Sequence, residues 1–188
     1  LRDRLEQLWK VSPTKMTSPR NYAFSATAKK ETTTLSENNT RATGGSNSIV
    51  IIEPRLPTNS VSVISFRVHK CGWLLLGVCY QALVEKRNYR ISRKIIGVYS
   101  KVGGGTYALY NIGMIYSHSI ASDYNKQSGM KLLAGDLVSV ELDPSTGRLT
   151  YSKNGTSFTQ DTSIRSTTTE AFHFCAMLHN ANEDISIV

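Results

Sequence analysis

The sequence predicts an all-β protein folded as an antiparallel β-sandwich. From Asn21 onward, short runs rich in Val, Ile, Thr, Tyr and Phe alternate with stretches of Gly, Pro, Asn, Asp and Ser, which is the composition of strands separated by turns. No convincing helical stretch lies between these runs, so a parallel sheet is not expected. The predicted strands are YAFS, TTTLS, SIVIIE, VSVISFRV, WLLLGVCY, KIIGVYS, TYALY, MIYSHS, LVSVEL, RLTYSK, FHFCAML and DISIV.

The first residues follow a different pattern. Apolar residues recur at helical spacing in LRDRLEQLWK, and Pro13 and Pro19 prevent a long continuation. We therefore expect a helical tail and linker over residues 1–20, followed by one β-sandwich over residues 21–188. A chain that begins in the middle of a helix is expected to be a fragment of a longer protein.

The clearest element is the hairpin GDLVSVELDPSTGRLTYSKNG at residues 135–155. Val138, Val140 and Leu142 alternate with polar residues, as do Leu149 and Tyr151 after the DPSTG loop. Because side chains alternate between the faces of a strand, these five residues are predicted to face the core. The Lys-Asn-Gly at the end predicts a second tight turn, since Asn and Gly tolerate positive φ.

This hairpin resembles the signature of SPRY domains, in which Gly-Asp precedes a strand ending in Leu-Asp and the next strand ends in Lys-Asn-Gly. Supporting segments follow the order of that family: VISFRVHKCGWLLLGVCY, TYALYNIGMIYSHS and FHFCAMLHNANEDISIV. The resemblance implies an SPRY core over residues 48–188 and a PRY-like extension over residues 21–47. It also implies a bent, concanavalin-type jelly-roll whose loops at one end form a shallow capture surface.

The resemblance further implies a non-catalytic module that captures a peptide or protein segment for a larger host, such as a tripartite-motif-like ubiquitin ligase. The capture surface should draw on the end of the WLLLGVCY strand, the segment after it and the closing-hairpin turn. The implied partner-binding residues are Tyr80, Gln81, Arg90, Arg93, Tyr99, Lys101, His179, Asn180 and Asn182. No cofactor or metal is implied. The sequence does not decide whether the side chains of Trp73, Tyr107 and Tyr110 lie in the core or at the surface.

Charge leaves two kinds of partner open. The formal net charge is +8, and EKRNYRISRKIIGVYSK at 85–101 carries six Lys or Arg against one acid, interleaved with tyrosines. Such a segment suits acidic proteins, and it also suits single-stranded nucleic acid, which is the alternative function. No apolar run approaches a membrane span and residues 1–20 lack a signal peptide, so we expect an intracellular, cytoplasmic protein without a membrane partner.

Catalytic and metal sites have weaker support. His69 and Cys71 share a strand face but lack a visible orienting group, so no enzyme is expected. His173, Cys175 and His179 lie close in sequence, yet no second cluster of ligands completes a zinc site. The sequence predicts a non-catalytic chain without a metal.

Three further features are expected to be structural. Cys71, Cys79 and Cys175 form an odd set without CxxC, and we expect them to be small buried side chains. His118 is expected at the surface. The glycines at 103–105 are followed by a strand rather than a helix, so they predict a loop.

Overall fold

A computed structural model describes residues 21–90, 104–123, 126–165 and 169–188. In these ranges the strands are β1 (Ala23–Lys29), β2 (Thr34–Ser36), β3 (Arg41–Thr43), β4 (Ser48–Glu53), β5 (Ser62–Lys70), β6 (Leu74–Tyr80), β7 (Thr106–Tyr110), β8 (Ile115–Tyr116), β9 (Leu137–Asp143), β10 (Arg148–Lys153), β11 (Thr156–Asp161), β12 (Phe172–Leu178) and β13 (Asp184–Ile187). A short helix, α1 (Gln81–Glu85), follows β6, and a 3-10 turn covers Ala121–Asp123. The predicted helical tail, residues 1–20, lies outside the described residues.

The strands form two antiparallel sheets. The six-stranded sheet has the order β1-β4-β12-β6-β7-β8, and the seven-stranded sheet has the order β11-β10-β9-β5-β13-β3-β2. The residues that face inward from the two sheets make one core cluster, so the sheets pack as a sandwich. This confirms the predicted fold class.

The 135–155 hairpin has the predicted register and faces. Leu149 lies opposite Leu142, and Tyr151 lies opposite Val140. These four side chains and Val138 are at most 1% exposed. A strand that packs one face on the core and leaves the other to solvent must alternate in this way, which is why the sequence predicted it.

The Lys-Asn-Gly turn is also confirmed. Asn154 and Gly155 both have positive φ, at 50° and 77°. They join β10 to β11 with Lys153 opposite Thr156. Two central residues with positive φ match the twist of the flanking strands in a tight hairpin.

The six-stranded sheet is buried on both faces. Its inner face joins the main core, and its outer face carries a second apolar cluster covered in part by Val84 of α1 and by Tyr89. The strand residues of this second cluster include Ile49, Ile51, Leu75, Cys79, Cys175 and Met177. Cys79 and Cys175 are therefore buried as expected, while Cys71 is only half-buried.

Three short elements differ from the predicted set. β3 and β11 were not predicted as strands, because the first has only three residues and the second is a largely exposed, polar edge strand. α1 was missed because five residues are too few to show helical periodicity. The predicted strand KIIGVYS lies outside the described residues. No helix in the described part of the chain is long and apolar enough to cross a membrane.

Candidate partner-binding surface

The six-stranded sheet has two ends, and the predicted binding residues fall at both. β6 and β12 are antiparallel, with Tyr80 opposite Phe172 at one end and Leu74 opposite Leu178 at the other. At about 3.3 Å per residue, the two ends are about 20 Å apart. We call them the Tyr80 end and the Trp73 end, since Trp73 directly precedes β6. The expectation of a single gathered surface is therefore corrected.

Tyr80 itself belongs to the core. It is 5% exposed and shares a strand face with Val78 and Leu76. Its ring lies edge-on to His118, with centroids 5.1 Å apart, and to Phe172, with centroids 6.4 Å apart. Burial raises the pKa of its hydroxyl to about 12. A side chain held in this way is not available to a partner, which corrects the prediction for Tyr80.

Gln81 lines an open pocket of about 710 Å³ together with His173, segment 53–55, Asn21 and Ala23. His173 Nδ1 lies 3.0 Å from the Ile52 carbonyl oxygen, and its Nε2 lies 3.1 Å from Gln81 Oε1. Burial lowers the pKa of His173, so the ring is neutral. Both neighbouring atoms are oxygens that accept hydrogen bonds, so a neutral ring, which carries one N–H, donates to one of them at a time.

His118 was expected at the surface but lies beside the core tyrosines. Its Nδ1 accepts a hydrogen bond from the Gly105 amide at 2.9 Å, and burial lowers its pKa. The Tyr107 hydroxyl next to it bonds Ser119 Oγ at 2.9 Å and also Ser163 Oγ. No local sequence pattern predicts this cluster, because β7 and the later loops meet only in the folded chain.

The remaining described binding candidates lie at the Trp73 end. His179, Asn180 and Asn182 form the turn between β12 and β13, and both asparagines are exposed. Arg90 is exposed beside Ser48, to which its backbone is bridged. Ser48 pairs with Leu178, so Arg90 is about two strand spacings, or about 10 Å, from the β12 position. Arg93, Tyr99 and Lys101 lie outside the described residues.

Three aromatic rings form the centre of the Trp73 end. Trp73 is 47% exposed and stacks on His179, with ring centroids 4.7 Å apart and an interplanar angle of 27°. Tyr110 contacts the same indole at 5.5 Å. Of the three aromatics left open by the sequence, Tyr107 and Tyr110 are thus buried and Trp73 is exposed.

An aliphatic rim adjoins these rings. Asn111 donates through its side-chain amide to the Gly72 carbonyl at 3.2 Å, and its backbone carbonyl accepts from the Leu132 backbone amide at 2.8 Å. The next residues along the chain, Ile112 and Leu133, are 42% and 62% exposed. We call the rings of Trp73, Tyr110 and His179 with this rim the Trp73 surface.

The buried side chain of Glu183 joins the two segments that carry the Trp73 surface. The residue is 1% exposed, and its two carboxylate oxygens accept the amides of Trp73 and Asn180, each at 2.6 Å. A Cβ at position 72 would lie 3.0 Å from Oε1, so Gly72 leaves room for the carboxylate. No sequence pattern predicts this role, because Glu183 lies in a polar turn and meets the Trp73 amide only when β12 pairs with β6.

The carboxylate affects the titration of its neighbours. Burial, with Glu183 and Asp136 adding to it, raises the pKa of the Cys71 thiol to about 11. Burial also raises the pKa of Tyr110 to about 12, with Cys71 and Glu183 contributing. Both groups are therefore neutral near pH 7, and Cys71 is not poised as a nucleophile.

The structure separates the candidate catalytic and metal-binding residues. His69 Nε2 contacts Ser186 Oγ at 2.9 Å, whereas the Cys71 thiol points to the Leu132 carbonyl at 3.6 Å. His173 and His179 lie at opposite ends of β12. Among the described residues no group of three His, Cys, Asp or Glu side chains could hold a metal ion.

Two residues at the start of the basic segment have structural contacts. The Arg87 guanidinium donates to the Gly104 carbonyl at 2.8 Å. The Tyr89 ring packs on the second apolar cluster. The rest of the segment, residues 91–101, lies outside the described residues.

No protein-family model and no curated protein sequence matches the chain. Several solved structures are similar to the chain over most of its length. The SPRY domain of human HERC1 has a TM-score of 0.60 and 14% identity, covering 87% of this chain and 96% of its own. The TRIM65 PSpry domain has a TM-score of 0.62 and 11% identity, covering 100% and 99%. The NEUZ (NHR) domain in Neuralized from Drosophila melanogaster has a TM-score of 0.59 and 11% identity, covering 92% and 94%.

These structures share the two-sheet sandwich over nearly their whole length. The identities are low, so the likeness concerns the fold. It agrees with the resemblance that the 135–155 hairpin carries in the sequence. The chain therefore has the fold of SPRY domains.

Proposed function

We propose that the chain is a non-catalytic module that captures an extended segment of a partner protein, and that the Trp73 surface is the place of capture. The exposed Trp73, stacked on His179, carries the proposal. A tryptophan that is both accessible and held in one orientation loses little conformational entropy on binding, and such residues dominate protein interfaces.

The composition of the surface supports this choice. Aromatic rings at the centre and aliphatic side chains at the rim resemble the apolar core of a protein interface. The exposed Asn180 and Asn182 add hydrogen-bonding groups that suit the backbone of an extended peptide. The Tyr80 end offers an open pocket but has its large aromatic ring buried.

The host would use this module to recognise partners inside the cell. Recognition of substrates for a ubiquitin ligase is the host role that the sequence resemblance implies, and it stays part of the proposal. A nucleic-acid function has less support from the described residues, because Arg87 and Tyr89 already have partners within the domain and only Lys86 and Arg90 are exposed cations of the described basic segment.

Affinity capture from nuclease-treated lysate tests the proposal. We expect a small set of proteins to bind the wild type and to be lost with Trp73→Ala. Leu137→Ala is the matched control, since Leu137 is 40% exposed but lies on the outer face of the seven-stranded sheet. The proposal fails if both variants retain the same proteins, or if nuclease removes all captured material. Circular dichroism of both variants checks that they are folded.

A further inference from the structure

We propose that the Trp73 surface binds the guanidinium group of an arginine side chain presented by the partner. This inference rests on the proposed function, because it names the side chain that the same surface would take. It depends on two observations that meet at one place: an accessible indole, and a buried carboxylate that forms no ion pair with a Lys or Arg of the described residues.

The indole offers a suitable platform. Trp73 is 47% exposed, while His179 and Tyr110 support it from within the domain. The face of an aromatic ring carries negative electrostatic potential and attracts cations, tryptophan most strongly. A ring already fixed by two neighbours presents that face without further ordering.

The carboxylate of Glu183 supplies the charge. Both of its oxygens accept backbone amides, and no Lys or Arg of the described chain forms an ion pair with it. A carboxylate that is 1% exposed acts through a medium that screens less than water. Its field therefore extends to the ring surface that it supports.

The basic side chains of Arg41, Lys70 and Arg90 do not neutralise the negative charge of Glu183. Arg41 is bound to Asp184 and Glu37, at 2.8 and 2.9 Å. Lys70 lies opposite Asp184 in the strand register. Arg90 is about 10 Å from the β12 position and exposed, so water and salt screen it. The net charge of +8 favours acidic partners in general, but the charged group that bonds Trp73 directly is the Glu183 carboxylate, 2.6 Å from its amide nitrogen.

Arginine fits this surface better than lysine. Its guanidinium is planar and weakly hydrated, so it stacks on an indole while keeping its edge free to donate hydrogen bonds. Asn180 and Asn182 are exposed in the turn that follows His179, the residue stacked on the indole, and their side-chain carbonyl oxygens can accept them. An ammonium group would lose more hydration for the same contact.

The test uses small probes and the indole N–H signal of Trp73 in ¹⁵N-labelled protein. N-acetyl-arginine-amide is compared with N-acetyl-citrulline-amide, which has the same shape without the charge, and with N-acetyl-glutamate-amide. We expect saturable movement of the Trp73 signal with arginine at about tenfold lower concentration than with citrulline. The indole of Trp9 gives a second signal in the same spectrum, and Trp73→Phe assigns the two.

A variant of the carboxylate provides the second arm. Glu183→Gln should reduce the preference for arginine over citrulline towards one. If this variant does not fold, the comparison of probes on the wild type still decides. Equal response to arginine and citrulline, or a stronger response to glutamate, overturns the inference. Loss of protein capture with Trp73→Ala would in that case still support the proposed function, so the two can fail separately.

Discussion

The Glu183 carboxylate accepts the backbone amide of Trp73 at 2.6 Å, across 110 positions of sequence. This bond joins the loop before β6 to the turn after β12. Since the same carboxylate also accepts the Asn180 amide, one buried side chain fixes both segments that carry the Trp73 surface. Binding and stability are therefore linked at this residue.

Replacing Glu183 by alanine should destabilise the domain. The backbone amides of Trp73 and Asn180 lose a charged acceptor. Because Asn180 is exposed, water can bond its amide in place of the carboxylate and offset part of the lost stability. We expect the free energy of unfolding to fall by about 2 kcal/mol, measured by urea denaturation. Glu183→Gln keeps one acceptor oxygen and should lose about half as much. A loss below about 0.5 kcal/mol for alanine would contradict the role assigned to the carboxylate.

Gly77→Ala should prevent stable folding. A Cβ at position 77 would lie 2.0 Å from the Tyr107 carbonyl oxygen and 2.8 Å from the Ala108 Cα, both of which are backbone atoms of β7. The paired strands cannot move apart without breaking the sheet, so we expect a loss of more than about 3 kcal/mol.

Gly155→Ala is the control for this substitution. Nothing lies within 4 Å of a Cβ at position 155, but its φ is +77°. Only the backbone conformation opposes the change, at a cost of about 1 kcal/mol. Equal losses for the two variants would show that close approach at Gly77 is not the cause.

The sequence predicted local structure better than the site. The hairpin through Val140 and Tyr151 could be predicted because alternation and turn chemistry act between neighbouring residues. Whether Tyr80 is buried depends on strands β7 and β12, which lie on both sides of β6. The separation of Gln81 from His179 by more than about 20 Å likewise follows from the register of β12, which no local pattern specifies.

Stability should fall when the pH decreases from 7.5 to 5.5. Burial lowers the pKa of both His118 and His173 in the folded chain. Below the ordinary imidazole pKa of about 6.5, the unfolded chain takes up protons that the folded chain does not, so acid favours unfolding. The stabilisation is therefore complete above pH 6.5 and is lost as the pH falls towards the lowered values.

Urea denaturation at the two pH values measures this effect. His118→Asn should reduce the difference in the free energy of unfolding between pH 7.5 and pH 5.5. The Asn side chain can still accept a hydrogen bond from the Gly105 amide, but it does not titrate. His173→Gln should act in the same direction. If both variants lose as much stability between pH 7.5 and pH 5.5 as the wild type does, these histidines are not the cause of that loss.

The Tyr107 hydroxyl should stabilise the fold through its bonds to Ser119 and Ser163. Tyr107 is fully buried, so Tyr107→Phe leaves two serine hydroxyls without this partner and should lower the free energy of unfolding, measured by urea denaturation, by about 1 to 2 kcal/mol.

Tyr110→Phe is the control, since the structure gives the Tyr110 hydroxyl no hydrogen bond within the described chain. Its free energy of unfolding should change by no more than about 0.5 kcal/mol. If the two variants lose the same stability, ring packing rather than the hydroxyl network holds the loops of the Tyr80 end. If Tyr107→Phe alone is destabilised, the network is the reason that His118 and both loops keep their place beside Tyr80.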